Sequence, residues 1–512
     1  MAIATLIRPP SVVGRYALTL NGTPPLSTVY LAGSLTAAGH EVQAIDAVGE
    51  ALDAMHPGYR ADILVNGLSV PQIVDRIRVD TQFVGISCLF SHEWPLIRQL
   101  IAAIAVRFPG VPIVLGGEHA TAVPDLCLAD APALSACALG EGEETIVELV
   151  EACGEHVELA RAFATVKGIV FRGPNGPTRT APRARIRDID AIPAPRWDLT
   201  PIERYLDGGF SFGVDRGRTM PLLATRGCPY SCTFCSSPRM WTTRYTTRSP
   251  ALVVDEIDDF VRRYRAENID FYDLTAIIER DWILEFCRLL EARQLRVTWQ
   301  LPSGTRSEAL DEATLRAMYR SGCRNVSYAP ESGSPRTLDA IKKKVKLARL
   351  EASMHAAVRV GLNVKANILI GFPDERAADL RHTLRFILRM ARLGVHDVSV
   401  WTFSPYPGSE LFERLRAAGR LRLDDDYYAS LLSYSDISGA ASYAAALDSR
   451  QLQRYRLAGL LLFYGASYLT HPTRPLRSLY NIATRRYESR MEMSFGNLVR
   501  RVATARAQLE AA

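Results

Sequence analysis

The chain has 512 residues, 48% of them hydrophobic and 23% charged, with 61 Lys and Arg against 55 Asp and Glu. That length holds roughly two to four domains with sizeable cores, and the composition excludes a fibrous or disordered chain. A net charge of +6 is mild for this size and implies no nucleic-acid partner.

The N-terminus, Met1 to Pro10, lacks the charged start and full apolar core of a signal peptide. Residues 1–153 then alternate strand-like and helix-like segments. Strands are predicted at Ile3–Ile7, Glu41–Ile45, Phe83–Ser87, Val111–Leu115 and Ser135–Leu139. Helices are predicted at Thr28–Ala38, Leu96–Arg107 and Glu143–Cys153. Such alternation makes a doubly wound, Rossmann-like parallel sheet that binds ligands beyond the carboxyl ends of its strands. Three loops fall on that edge: Ser87-Cys88-Leu89-Phe90-Ser91, Gly116-Gly117-Glu118-His119-Ala120-Thr121 and Gly140-Glu141-Gly142-Glu143-Glu144. Their glycines allow a backbone to approach a large ligand, although tight strand-to-helix turns explain such glycines equally well. His92 and His119 are the histidines nearest the edge, and solvation or hydrogen bonding accounts for either. Residues 154–210 read as a connector, with a turn at Gly173–Pro177 and a stiff Ile192-Pro193-Ala194-Pro195 segment.

A second strand–helix series occupies residues 211–430. Its strands are the run Pro221–Thr225, then Asp270–Asp273, Arg296–Gln300, Asn325–Tyr328, Val364–Ile370 and Asp397–Phe403. Six parallel strands with right-handed crossovers make a partial (βα)6 barrel with its chemistry at the C-terminal mouth. Directly after the first strand comes Arg226-Gly227-Cys228-Pro229-Tyr230-Ser231-Cys232-Thr233-Phe234-Cys235, with cysteines spaced C-x3-C-x2-C. Three thiolates on one short loop can hold three irons of a four-iron cluster, leaving the fourth iron open. A zinc site would need a fourth Cys or His, and none follows until Cys287. Three unrelated buried thiols are the remaining alternative. The other six cysteines show no ligand spacing, and nine at irregular intervals are no disulfide framework, which fits a reducing cytoplasm. Lys342–Lys346 is a basic run whose default reading is a solvated face, with contact to an anionic ligand as the alternative.

The cysteine spacing, with aromatic Phe234 before the last thiol, resembles the radical S-adenosylmethionine (SAM) superfamily. The N-terminal pattern is similar to the cobalamin-binding domain that precedes many such enzymes. It runs Pro24-Pro25-Leu26, Tyr30-Leu31-Ala32, Ala38-Gly39-His40-Glu41-Val42, and then the second and third glycine loops. The resemblance implies a [4Fe-4S] cluster on Cys228, Cys232 and Cys235. It implies SAM held by Phe234, Asp273, Glu331, Ser332 and Gly371 at four strand-end motifs. It implies cobalamin against Ser87, Cys88, Gly116, Gly117, Glu118, His119, Gly140, Gly142 and Glu143. Asp-x-His-x-x-Gly, the motif that gives cobalt a histidine in other cobalamin proteins, is absent, so cobalamin is expected without a protein ligand on its lower face. The activity implied is C-methylation of an unactivated carbon through a 5′-deoxyadenosyl radical. An oxidative cyclase or ring-rearranging enzyme is the enzymatic alternative, and a zinc-stabilised binding module the non-enzymatic one. No side chain is singled out as a catalytic acid or base. Expected partners are a small-molecule or lipid substrate and an electron donor such as flavodoxin or ferredoxin.

Residues 431–512 read as helical, with one apolar helix over Leu452–Leu469 and no apolar run of about 18 residues. From His471 onward eight Arg stand against three Glu, interleaved with Leu, Tyr, Phe and Met. That pattern fits a helical cap with solvated arginines or contact with an anionic membrane surface.

Overall fold

The computed structural model describes residues 1–15, 17, 22–154, 158–306, 310–434 and 439–499. The first sheet begins with Ile3–Arg8, whose central residues are all buried, so neither face of the strand meets water and helices cover both sides. Ile3–Arg8 pairs in parallel with Glu41–Asp46 on one side and Phe83–Ser87 on the other. Ile113–Gly116 and Ala136–Ala138 extend the sheet in parallel beyond Phe83–Ser87. The chain therefore winds outward in both directions from the gap between Ile3–Arg8 and Phe83–Ser87, the place where open α/β sheets receive ligands. Helices Leu26–Ala37 and Glu143–Gly154 cover one face through Ala32, Leu35, Ile146 and Leu149. Helix Trp94–Arg107 covers the other with Ile97, Leu100 and Ile104.

Two features were not foreseen. The hairpin Ile169–Gly173 and Gly176–Arg179 joins the first sheet by antiparallel pairing to Ala136–Ala138, so the sheet runs on past Gly154. A separate antiparallel sheet forms from Ser11–Gly14, Met55–Pro57 and Ile63–Asn66.

The second sheet orders its six strands as they occur: Thr219–Leu222, Asn268–Phe271, Thr298–Thr305, Cys323–Glu331, Asn363–Ile370 and Asp397–Thr402. Every pairing is parallel, which gives the expected partial barrel. Asp311 and Ser409 cap two of its helices by accepting the N–H groups of Thr314 and Phe412. Helix Ser449–Thr470 lies against helix Ala377–Arg392 and the last strand, with Leu452 and Phe463 in the common core. No helix among the described residues is long and apolar enough to cross a membrane.

The connector docks tightly on the first domain. A Cβ on Gly33 would run into the carbonyl oxygen of Ala194. Gly33→Val is therefore expected to cost about 1–3 kcal/mol, as overpacked sites do, read as a lower thermal midpoint. Gly465→Ala, where a Cβ meets nothing within 4 Å, is the control and should be neutral or slightly stabilising.

Candidate functional site

The cysteine loop is launched by a fixed strand exit. Asp273, at the end of the neighbouring strand, is fully buried and accepts hydrogen bonds from the N–H groups of Ala224 and Thr225 and from the Thr225 hydroxyl. Burial pushes its carboxyl up to about 6, against those donors. Sequence reasoning made Asp273 a SAM residue; the structure gives its carboxylate to the loop's root. Gly227 follows with φ +84°, and a Cβ there would strike the carbonyl of Arg244. Further along, Thr233 donates its N–H to the Ile341 carbonyl at 3.0 Å, and its own carbonyl accepts from Leu411 N–H at 2.9 Å. The Phe234 ring sits 5.6 Å from Phe372 in a cluster with Phe403 and Leu411. The Arg306 guanidinium lies 3.5 Å over the Tyr230 ring. The loop is thus tied to three barrel motifs before any cofactor is considered.

Its thiols are free and half-buried. Burial pushes Cys235 up to about 12 and raises Cys232 as well, and the charges of Cys228, Cys232 and Cys235 act on one another. Lys343 and Arg306 oppose the rise at Cys232. Lys343 belongs to the run read as a solvated face, and here the structure corrects that reading. Lys342 does face solvent, paired with Glu410 at 2.6 Å, but Lys343 is buried and pairs with Glu331 at 2.9 Å. Nothing in the run of like charges says which lysine turns inward. Glu331 itself holds φ +63°, a left-handed conformation that costs a non-glycine residue energy and is found at functional sites. Ser332 is buried on Thr383. Gly371, at φ +90°, donates its N–H to Glu375, whose other carboxylate oxygen Oε1 is buried with no hydrogen-bond partner. Burial pushes Glu375 up to about 7. Glu375 is not among the residues expected from sequence, although it lies only four residues after Gly371 in Gly371-Phe372-Pro373-Asp374-Glu375.

The loops of the first sheet meet this mouth directly. The Ser236 hydroxyl bonds Glu118, and Glu118 in turn raises Cys235. Thr121 contacts the Met240 sulfur at 3.3 Å and accepts from Gly140 N–H at 3.0 Å. Arg226, buried, pairs with Glu143 and, at 3.3 Å, with Glu141, while Arg185 reaches Glu141 at 3.0 Å. Of the expected cobalamin residues, Glu143 is therefore held by Arg226. The movable end of Leu31 lies 2.9 Å from where a Cβ on Gly142 would sit. Gly117, at φ +105°, lies against the Cys88 carbonyl, where a Cβ would come within 2.6 Å. Gly116 alone in that loop faces open space. The Ser87 hydroxyl lies 3.3 Å from that of Ser27. Cys88 is fully buried. His119 is buried rather than solvated: its Nδ1 meets the Ser91 hydroxyl at 2.9 Å, and its ring packs on Trp94 and Tyr428.

Among the described residues no three His, Cys, Asp or Glu are gathered to hold a metal ion. A compact zinc site needs four such convergent ligands. Thiolates on different irons of a cluster need not converge on one point, and cluster charge would offset the burial that raises Cys232 and Cys235. Gly116, beside the ligand edge of the first sheet, has no atom within 4 Å of where a Cβ would sit, so a ligand can approach its backbone closely. The residues present fit both cofactors.

Asp273→Asn keeps one carbonyl acceptor but sets an NH2 donor where the second carboxylate oxygen faces Ala224 N–H, costing about 1–3 kcal/mol. The raised carboxyl binds its proton more tightly folded than unfolded, so it stabilises the fold below about pH 4 and that contribution is lost as pH rises through about 6. The difference in unfolding free energy between the wild type and the Asp273→Asn variant should therefore shrink over that pH window; a flat difference would rule out a raised Asp273.

Comparison with known proteins agrees with this geometry. Residues 17–150 match the B12 binding domain, and residues 222–387 match the Radical SAM superfamily. An "uncharacterized methyltransferase" of Pyrococcus horikoshii is 29% identical over 410 residues, 80% of this chain and 82% of its own length. The anaerobic magnesium-protoporphyrin IX monomethyl ester cyclase of Rubrivivax gelatinosus is also 29% identical, over 77% of this chain and 66% of the cyclase. The fold is shared with the cobalamin-dependent S-adenosylmethionine radical enzyme OxsB, solved with aqua-cobalamin and SAM bound. There the TM-score is 0.69 at 15% identity, over 98% of this chain and 71% of that one. The chain carries a B12 binding domain ahead of a radical SAM domain and belongs to the cobalamin-binding radical SAM proteins.

Proposed function

We propose that the chain is a cobalamin-dependent radical SAM enzyme that methylates an unactivated carbon of a small molecule. The observation that carries the reading is the direct contact between the cysteine loop and the ligand edge of the first sheet, through Ser236–Glu118 and Arg226–Glu143. When bound, the cluster, SAM and cobalamin supply radical generation and the methyl carrier. The chain's own residues bind and orient. Cys228, Cys232 and Cys235 are assigned as the three cluster ligands. Phe234, Glu331, Ser332 and Gly371 are assigned to SAM, with the Lys343–Glu331 pair placed to meet its charged amino-acid end. Gly116 and its neighbours are assigned to cobalamin, and the buried His119 to packing behind that loop. An external one-electron donor completes the reaction. Methyl transfer rests on the Pyrococcus relative's name, and the Rubrivivax cyclase keeps a cyclase as the second reading.

The C-terminal helices support a further partner. Helix Arg474–Thr484 exposes Leu476, Leu479 and Tyr480 beside Arg477, and helix Ser449–Thr470 exposes Leu461 and Leu469. We assign this face to an anionic membrane surface; the arginines beyond residue 499 lie outside the described residues. Sedimentation with phosphatidylglycerol vesicles should carry down the wild type and not the double variant Leu476→Glu with Leu479→Glu.

Cys232→Ala should abolish cluster assembly and SAM cleavage, whereas Cys287→Ala should leave iron and sulfide unchanged. Full iron and turnover in the Cys232→Ala variant would refute the assignment. Gly116→Phe should weaken cobalamin uptake at equilibrium while sparing iron. For methyl transfer, S-adenosylhomocysteine and 5′-deoxyadenosine should accumulate together in about equal amounts, one SAM for each role. Sustained 5′-deoxyadenosine without S-adenosylhomocysteine, and product free of label from methyl-labelled SAM, would favour the cyclase.

A further inference from the structure

The strands of the second sheet have two chemically different faces. Ile269, Trp299, Val326, Val364 and Val398 point outward into the helix-covered core. With a two-residue period, the positions between them point into the barrel lumen. There the chain places Asp270, Gln300, Lys365, Asn367, Asp397 and Trp401, a polar lining for which the core has no use.

The two lumen carboxylates are fully engaged. Asp270 accepts from Gly213 N–H at 2.7 Å and from the side chains of Gln300 at 2.6 Å and Asn268 at 3.2 Å. Asp397 accepts from the Tyr464 hydroxyl at 2.6 Å and from Arg490 N–H at 2.9 Å. The two cations are not. Arg490, delivered from the C-terminal region, spends its guanidinium on the Gly213 carbonyl at 2.7 Å and the Met493 sulfur, and no carboxylate pairs it among the described residues. Lys365 has neither an ion pair nor a hydrogen bond there; its ammonium stands 5.4 Å from the centroid of the Trp401 ring. Burial holds the Lys365 pKa down at about 8, with Asp397 opposing and Arg490 adding to the fall. Both side chains are half-buried, so each keeps some accessible surface. Asn367 Oδ1 is buried there without a hydrogen-bond partner. Asp397 acts on Lys365 and, with Asp270, on Arg490, yet among the described residues neither carboxylate forms an ion pair with either side chain, so the N–H donors of both cations are left over. What those donors lack is an acceptor, and between two cations an oxyanion is the acceptor that fits.

We propose that the lumen floor is a subsite for an oxyanion of the substrate, a carboxylate or a phosphate-type group, held between Lys365 and Arg490. The flat or apolar body of the molecule then rests on Trp401, and Asn367 accepts from an N–H or O–H of it. The subsite orients the substrate's other end towards the mouth, and it rests on the reading that the reaction occurs there.

The test uses the anaerobically purified full chain and three probes of one size: benzoate, phenyl phosphate and neutral benzamide. Calorimetric titration should show at least one anion binding about tenfold or more tightly than benzamide, the scale of one buried charge interaction. Whether benzoate or phenyl phosphate is preferred separates carboxylate from phosphate substrates. Lys365→Met should lose that preference and Lys365→Arg should restore it. Without ligand, the Lys365→Met chain should melt no lower than wild type, and only wild type should gain a higher midpoint with the anion. SAM should not displace the probe. Equal binding of benzamide, anion affinity unchanged in Lys365→Met, a large melting loss in that variant with no anion effect, or displacement by SAM would each overturn the proposal. Iron and cobalamin content of the same samples report on the parent reading alone: their loss with anion binding intact would refute the cofactor assignment and leave the subsite standing.

Discussion

Arg226 lies buried between Glu141 and Glu143 of the first domain, and the first cysteine follows two residues later. The guanidinium also covers the rings of Tyr30 and Trp241, at 5.7 and 5.9 Å. A buried pair of this kind adds little net stability over an apolar contact, yet losing one partner costs about 3–5 kcal/mol because it strands the other. Its consequence here is positional. Glu141 is shared with Arg185 of the connector, and Arg185 also donates to the carbonyls of Trp241 and Arg244 that flank the loop. One carboxylate therefore fixes the connector, the root of the cysteine loop and the ligand edge of the first sheet. Two cofactor sites on separate sheets can cooperate only if their spacing is set this firmly, since an error of about 1 Å is enough to spoil a reaction geometry.

What was legible from sequence followed the strength of periodic signals. The parallel strands of both sheets lie within a few residues of their expected places, because central strands are near-continuous apolar runs bounded by turns. The Ser11–Gly14, Met55–Pro57 and Ile63–Asn66 sheet was invisible: its strands are three or four residues long, and one of them ends in proline. The Gly173–Pro177 turn is legible within the connector, but nothing local says which sheet the hairpin around it joins. The cysteines were legible because three of one rare residue at fixed spacing is improbable without a role.

The remaining site was harder to read, for a physical reason. Lys343, Glu375 and Lys365 are charged residues that sequence statistics place in water. For two of them a tertiary partner explains the inward turn: Glu331 for Lys343, and the N–H groups of Gly371 and Phe372 for Glu375. Glycines carried the opposite ambiguity. Gly117 and Gly227 are required by their own neighbours, the Cys88 and Arg244 backbones, so their presence says nothing of a ligand, whereas Gly142 meets only the movable end of Leu31. Gly116 has no such neighbour, and it is the one whose smallness still needs a cause.

The same reasoning orders the charges of the barrel. At the mouth, Lys343 stands against Glu331, and that pair acts on the Cys232 thiol, which burial raises. A cluster brings positive iron to that thiol, and SAM brings both an ammonium and a carboxylate, so a zwitterionic pair suits the mouth. On the floor, the carboxylates are consumed by the protein's own donors and the cations are left over. The mouth thus holds a closed ion pair and the floor holds cationic donors without a direct partner, so the two ends of the barrel differ in what they can bind. If the floor is the proposed oxyanion subsite, a substrate with one anionic end enters in a single orientation, its anion down and its apolar carbon towards the cysteine loop. Regioselectivity at an unactivated carbon, which offers no polar handle of its own, can then be set by the distance between the reacting carbon and the anion.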